Sequence, residues 1–423
     1  MKRLVFKLPG KSAKKDFIFN MYGSVSVSFV SVILLIAVSR ILGEESAGVF
    51  SLSYSTAQML YTLAAFEVRN IQVTDTKGEF EFSECLAFRT VTVLAMLTFA
   101  ICFVFIKGFD TEKTIAILLL CIYMAFMALG EVFQGNMHKN GYLHLSGFSL
   151  GTSVVFAAGV FIVSMLITGK LLISIIPMIM AMVLWVCLFD IPVASNFSAP
   201  RFKFTFEKIK KLFLYTFPLI ISVFINQYSL NCPKYAIDKY LTAVDQSHYG
   251  YLVMPAFCIN LLSMFVFRPQ ILTLSKKWGA KEYKGFNKIA LLLFGWIIIA
   301  TAVVILGGYL LGIPVLNLLY NTNLNDQKQW LMVLLIGGGF SAASSLCCML
   351  VAVTRKQNYA LIAYVTSTAV ALVLPNVLVK NMGFAGAPIS YLIQNAVLFL
   401  GLFTVLFITV FSKALKRGKQ NEV

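Results

Sequence analysis

The chain has 423 residues, of which 59% are hydrophobic and only 13% charged, with a mean hydropathy of +0.83. A soluble domain carries charge on about a quarter of its residues, so this composition excludes a water-soluble globular protein. The net charge of +17 does not point to nucleic acid either, because Lys and Arg sit in short runs between apolar stretches, where they set orientation against a membrane.

From the N-terminus, the segment Met1 to Lys15 carries Lys2, Arg3, Lys7, Lys11, Lys14 and Lys15. Its charge is that of a signal n-region, but the apolar span behind it is too long and no small-residue cleavage site follows. The reading is an uncleaved first helix. Apolar spans then fall at about 17–41, 47–68, 85–106, 114–136, 145–168, 171–190, 212–237, 247–270, 288–311, 329–352, 359–379 and 388–411. An apolar stretch of about 20 residues crosses a hydrocarbon layer of about 30 Å as a helix. The expected fold is therefore all-α and polytopic, with twelve transmembrane helices. The connection from Lys107 to Lys113 and the Gly169-Lys170 turn are short, as helix hairpins in a bundle require.

Counting Lys and Arg loop by loop gives 27 on one side and 8 on the other. The rich side holds the N-terminus, Arg69, Lys77, Arg89, Lys139, the cluster from Arg201 to Lys211, Arg268 with Lys276 to Lys288, Arg355-Lys356 and the C-terminal run. The poor side holds Arg40, Lys107, Lys113, Lys170, Lys234, Lys239, Lys328 and Lys380. Such a bias places both termini in the cytoplasm. An even number of spans with both ends inside divides naturally into six and six. The basic stretch 196–211, with Pro200, is the expected linker between an N-terminal bundle at 1–195 and a C-terminal bundle at 212–423.

The halves resemble one another. Span one closes in Arg40-Ile-Leu-Gly43, followed by Glu44, Glu45 and Ala47-Gly48-Val49-Phe50. Span seven closes in Asp238-Lys239-Tyr240-Leu241, followed by Asp245 and Tyr249-Gly250-Tyr251. Both spans enter from the same side, so the pattern reads as a parallel repeat of two six-helix bundles.

Ionisable groups within spans are costly in hydrocarbon and are functional candidates. In the first half these are Glu131 in span four, with Glu67, Arg69 and Arg89 at the ends of spans two and three. They form either an inter-helix salt bridge or a gating or ion-coupling network. In the second half Gln227, Asn231 and Lys234 share one face of span seven, with Asp238 beyond them. A polar stripe in a spanning helix must face protein or water, so it either lines a hydrated cavity or bonds a neighbouring helix. Pro218 is expected to bend span seven. Gly337-Gly338-Gly339 in span ten reads as close packing or a hinge. The eight cysteines lie almost entirely within spans without metal-ligand spacing, and the three histidines form no cluster, so no metal or cofactor site is expected. No loop is large enough for an independent core and no nucleotide-binding or hydrolase motif occurs, which removes most enzymes.

The motifs Asn20-x-Tyr22-Gly23, Arg40-Ile-Leu-Gly43 and Ala47-Gly48-Val-Phe50, with Tyr235-Ala-Ile-Asp238-Lys239-Tyr-Leu241, resemble those of Wzx-type polysaccharide exporters. These belong to the multidrug/oligosaccharidyl-lipid/polysaccharide (MOP) superfamily. The resemblance implies a flippase for undecaprenyl-pyrophosphate-linked oligosaccharide repeat units of O-antigen, capsule or exopolysaccharide, acting by alternating access in the bacterial inner membrane. It further implies that Arg40, Lys234 and Arg268 meet the pyrophosphate and anionic sugars, with Gln227 and Asn231 suited to hydroxyls. Membrane lipids, a polysaccharide polymerase and assembly proteins are the implied partners of what is read as a monomer. The chain lacks the two further spans usual in lipid II flippases and the acid that multidrug members often place in mid span one. An ion-coupled multidrug antiporter of the same superfamily and a membrane-embedded enzyme or scaffold of polysaccharide assembly stand as alternatives.

Overall fold

Long apolar runs broken by glycine, asparagine or a polar turn fold as helices one after another, because a backbone in hydrocarbon must satisfy its own hydrogen bonds. The computed structural model describes residues 10, 12–75, 78–354 and 357–408, with side chains described at all of these except 218, 219, 264, 265, 268, 357 and 358. The helices are α1 (Ala13–Leu42), α2 (Glu44–Ala65), α3 (Val68–Thr74), α4 (Phe82–Lys107), α5 (Thr111–Lys139), α6 (Leu143–Thr168), α7 (Leu171–Trp185) and α8 (Ile191–Ala194). They continue with α9 (Phe206–Tyr240), α10 (Ala243–Gly279), α11 (Tyr283–Gly307), α12 (Ile313–Tyr320), α13 (Lys328–Val353), α14 (Gln357–Met382) and α15 (Gly386–Leu406). A single π turn, Val186–Asp190, joins α7 to α8, and another, Gly308–Gly312, joins α11 to α12.

Grouped across those π turns, the long helices coincide with the twelve expected spans. Among the described residues, eight stretches are apolar and long enough to cross a membrane, or nine with α9, whose two parts Phe206–Phe217 and Ile220–Tyr240 meet at 48° around Pro218. One of the eight, Tyr359–Leu406, holds both α14 and α15, which pack on one another and so supply two crossings. Helix α2 is less apolar because it carries Ser51, Ser53 and Thr56, all buried inside the bundle rather than facing lipid. The opposite faces are apolar and bare: Phe105, Ile106, Ile167 and Leu318 are 73–82% exposed. An apolar surface of this kind suits hydrocarbon, and this is a multi-pass membrane fold.

The chain divides into two units, Met1–Phe224 and Ile225–Val423. The division falls within α9, and the stretch 196–211 belongs to the first unit. In the first unit α1 packs on α6, α2 on α5, α4 on α2 and α5, and α7 on α5 and α6. In the second, α10 packs on α13, α11 on α10 and α13, and α15 on α13 and α14. Ser229 of α9 hydrogen-bonds Thr368 of α14 at 3.0 Å. Counted span by span, the pairings of α2, α4, α5, α6 and α7 with one another in the first unit recur among α10, α11, α13, α14 and α15 in the second, and the Ser229–Thr368 bond answers to the packing of α1 on α6.

The motif residues are packing and turn residues. Gly43, at φ 88°, ends α1 and begins α2, a backbone that a side chain would strain. Gly23 lies so close to α6 that a Cβ there would stand 2.6 Å from the Gly147 carbonyl oxygen, and one on Gly147 would stand 2.6 Å from Asn20 N. Tyr22 lies over Gly151, so Asn20-x-Tyr22-Gly23 meets a small-residue surface on α6. The Gly337-Gly338-Gly339 run is close packing too. A Cβ on each would come within 2.7 Å of the Tyr391 ring, 2.8 Å of Ala256 O and 2.7 Å of Thr301, that is, of α15, α10 and α11 in turn.

Candidate functional site

The first unit holds a polar layer that begins at a break in a helix. Helix α2 stops at Ala65 because Phe66 and Glu67 adopt left-handed φ values of 42° and 54°. Neither is glycine, so the break is strained and its surroundings must hold it. The last carbonyls of a helix have no partner within it. That of Ala64 accepts from the Arg89 guanidinium and, at 2.8 Å, from the Thr92 hydroxyl, both on α4. A cation at a helix C-terminus also meets the negative end of its dipole.

Arg89 is fully buried, and its Nη2 donates to Glu131 Oε2 on α5 at 3.1 Å. Tyr61 on α2 donates to the same oxygen at 3.3 Å. Arg69 on α3 stands 4.0 Å from Glu131 Oε1 and donates to Ser146 Oγ on α6 at 3.0 Å. Thus Arg69, Arg89 and Glu131 come together, two guanidiniums on one carboxyl group. Glu67 does not join them; it accepts from the Asn70 amide at the start of α3.

One turn along α6 from Ser146 a second network begins. Ser149 Oγ receives the Trp185 indole N–H at 3.0 Å and the Gln134 amide at 3.3 Å, and donates to Asp190 Oδ1. Asp190 is fully buried in the π turn after α7. At the last position of span six, residue 190, an acid looks like a flank, so Asp190 does not stand out among the ionisable groups of the spans. One signal does mark it: Asp190 stands in Val-Cys-Leu-Phe-Asp-Ile-Pro-Val-Ala with no basic residue near it.

Outside the spans, the loop before α4 is tied down by charge. Burial raises the Asp75 carboxyl, but N–H donation from Phe80 and the Lys139 ammonium at 3.2 Å outweigh it and hold its pKa below the ordinary range. Hydrogen bonding from Lys203 likewise lowers Glu81.

In the second unit Lys234 is 7% exposed and has no ion-pair or hydrogen-bond partner among the described residues. Asn231, also buried, donates its amide to the Gln227 carbonyl at 3.0 Å, and Gln227 is half-buried. Asp238 is half-buried and Arg40 is exposed in the last turn of α1. The Arg268 side chain lies outside the described residues.

No family model matches the sequence, and no curated protein sequence matches it. Solved structures do match. A multidrug resistance MATE family transporter of the MOP superfamily, in an inward-facing conformation, superposes with a TM-score of 0.71 at 14% identity, covering 96% of this chain and 99% of that one. The lipid II flippase MurJ, inward closed, gives 0.69 at 15% identity over 92% of this chain and 87% of that one. A mutant of the Vibrio cholerae MATE transporter VcmN gives 0.61 at 14% identity over 96% of this chain and 97% of that one. The fold is that of MOP-superfamily transporters and flippases.

Proposed function

We propose that the protein is a flippase that carries an undecaprenyl-pyrophosphate-linked oligosaccharide, of O-antigen, capsule or exopolysaccharide, across the bacterial inner membrane by alternating access. The observation that carries this reading is Lys234. A buried ammonium within a spanning helix is costly unless an anion meets it, and no carboxylate does so among the described residues. A pyrophosphate or an acidic sugar is such an anion. Gln227, Asn231, Arg40 and Arg268 are the further candidates for the glycan and its phosphates. Glu67, Arg69, Arg89, Glu131 and Asp238 are candidates for gating or ion coupling.

The test replaces Lys234 by Gln and measures surface glycan against protein level. Loss of one charge-assisted hydrogen bond of about 1.5–3 kcal/mol corresponds to about 10- to 150-fold in affinity, so export should fall while membrane insertion stays intact. Lys276→Gln, in a run of neighbouring charges, should change little. Normal export by Lys234→Gln would remove Lys234 from substrate recognition.

The multidrug alternative draws on the likeness to MATE transporters. Expression in a drug-sensitive host separates the two, since an antiporter raises resistance to structurally diverse cations and a glycan flippase does not. A scaffold or enzyme of polysaccharide assembly would instead lose the glycan with lipid-linked oligosaccharide transport unchanged.

A further inference from the structure

Asp190 is a fully buried carboxyl group in the first unit, apart from the Arg69–Arg89–Glu131 cluster. Its Oδ1 accepts from Ser149, but its Oδ2 is sealed from solvent and meets no donor in good hydrogen-bond geometry among the described residues, the nearby Gln134 amide being directed to Ser149. A second orphan acceptor belongs to the same junction, Oε1 of Gln134. Both side chains meet over Gly130, where a Cβ would stand 3.0 Å from Asp190 Oδ2 and 3.7 Å from Gln134 Nε2. The elements packed against this π turn bring it no compensating charge. On α5, Glu131 is engaged by Arg69, Arg89 and Tyr61; on α6, His144 is engaged by Asp16 at 2.8 Å; α7 and α8 carry no other charged residue.

A carboxylate deprived of both water and a cation is unfavourable, whereas the neutral acid needs only a neighbouring acceptor for its O–H. We propose that Asp190 is a proton-binding site: its carboxyl holds a proton on Oδ2 while the junction of α5, α6 and α7 is closed, and releases it when water enters. The ligand is a proton rather than sodium, because a metal ion would find just two free acceptors at this junction among the described residues, Asp190 Oδ2 and Gln134 Oε1, and Ser149 cannot add a third. Its oxygen already receives two N–H donors and gives its own hydrogen to Asp190, so no lone pair is left for a metal ion. Placement in a π turn, a local widening that recurs at functional sites, lets a small shift of α7 expose the group. Proton binding itself is independent of the substrate; its use in driving transport rests on the flippase reading.

Trp185 reports on the site, because its indole shares Ser149 with Asp190. With Trp278, Trp296 and Trp330 replaced by Phe and the protein held in lipid nanodiscs, its emission should show one titration step with pH. Asp190→Asn should abolish that step. Infrared spectroscopy of the unaltered protein provides a second readout that needs no variant to fold. A carboxylic-acid C=O band should be present at neutral pH and vanish in the alkaline range. A carboxylate band alone at neutral pH, or a Trp185 step that follows sodium at fixed pH, would overturn the proposal. A carboxylic-acid band that survives in Asp190→Asn would also overturn it, whereas a band lost in that variant with glycan export unchanged would leave the site standing and remove only its role in transport.

Discussion

Arg89 joins three elements through one side chain: its own helix α4, the Ala64 carbonyl at the end of α2, and Glu131 on α5. Arg69 reaches the same carboxyl group at 4.0 Å, but its side chain is 20% exposed against 0% for Arg89. Removing one member of a buried pair costs about 3–5 kcal/mol because the other charge stays buried, whereas exposed pairs contribute about 0–1 kcal/mol. Arg89→Ala should therefore lower the melting temperature and folded yield far more than Arg69→Ala. A charge swap, Arg89→Glu with Glu131→Arg, should recover only part of that loss, because a glutamate cannot donate to the Ala64 carbonyl. Equal losses from the two arginines in a thermal melt would show that the Ala64 contact contributes little.

At the level of the helix pair, the glycines of α6 have opposite surroundings. A Cβ on Gly147 would meet the backbone of Phe19 and Asn20, which cannot rotate away, while one on Gly159 meets nothing within 4 Å. Overpacking of this kind costs about 1–3 kcal/mol. Gly159→Ala should be neutral or stabilising, since glycine is disfavoured in a helix by about 0.5–1 kcal/mol relative to alanine. Gly147→Ala should separate α1 from α6 and reduce the yield of folded protein, measured by size-exclusion profile and melting temperature. If both variants behave alike, the close approach of α1 and α6 is not what Gly147 provides.

For the whole molecule, the distribution of Lys and Arg predicts that both termini and the stretch 196–211 face the cytoplasm. Single cysteines make this testable with membrane-impermeant reagents in intact cells. Asp110→Cys, in the turn between α4 and α5, should be labelled from outside, and Ser198→Cys should not. Labelling of both or the reverse pattern would contradict the assigned orientation. The recurrence of helix pairings among α10, α11, α13, α14 and α15 is in keeping with a duplicated six-helix element.

The sequence by itself determined the number and placement of the spans, because hydrocarbon demands long apolar helices and leaves their signal in composition. It also marked the turn from α1 to α2 and the close approach of α1 to α6, since Gly43 and Tyr22-Gly23 serve backbone geometry and close packing that few other residues allow. It brought Glu131 forward as an isolated acid in a span, and Lys234 as a base on a polar face. What it could not determine was which polar groups meet. The left-handed break at Phe66 and Glu67 frees the Ala64 carbonyl for Arg89 and turns Glu67 away towards Asn70, and nothing in residue type announces that break. The isolation of Asp190 likewise arises only when α5, α6 and α7 close around a π turn, because burial and the lack of a partner are properties of neighbours brought from distant parts of the chain.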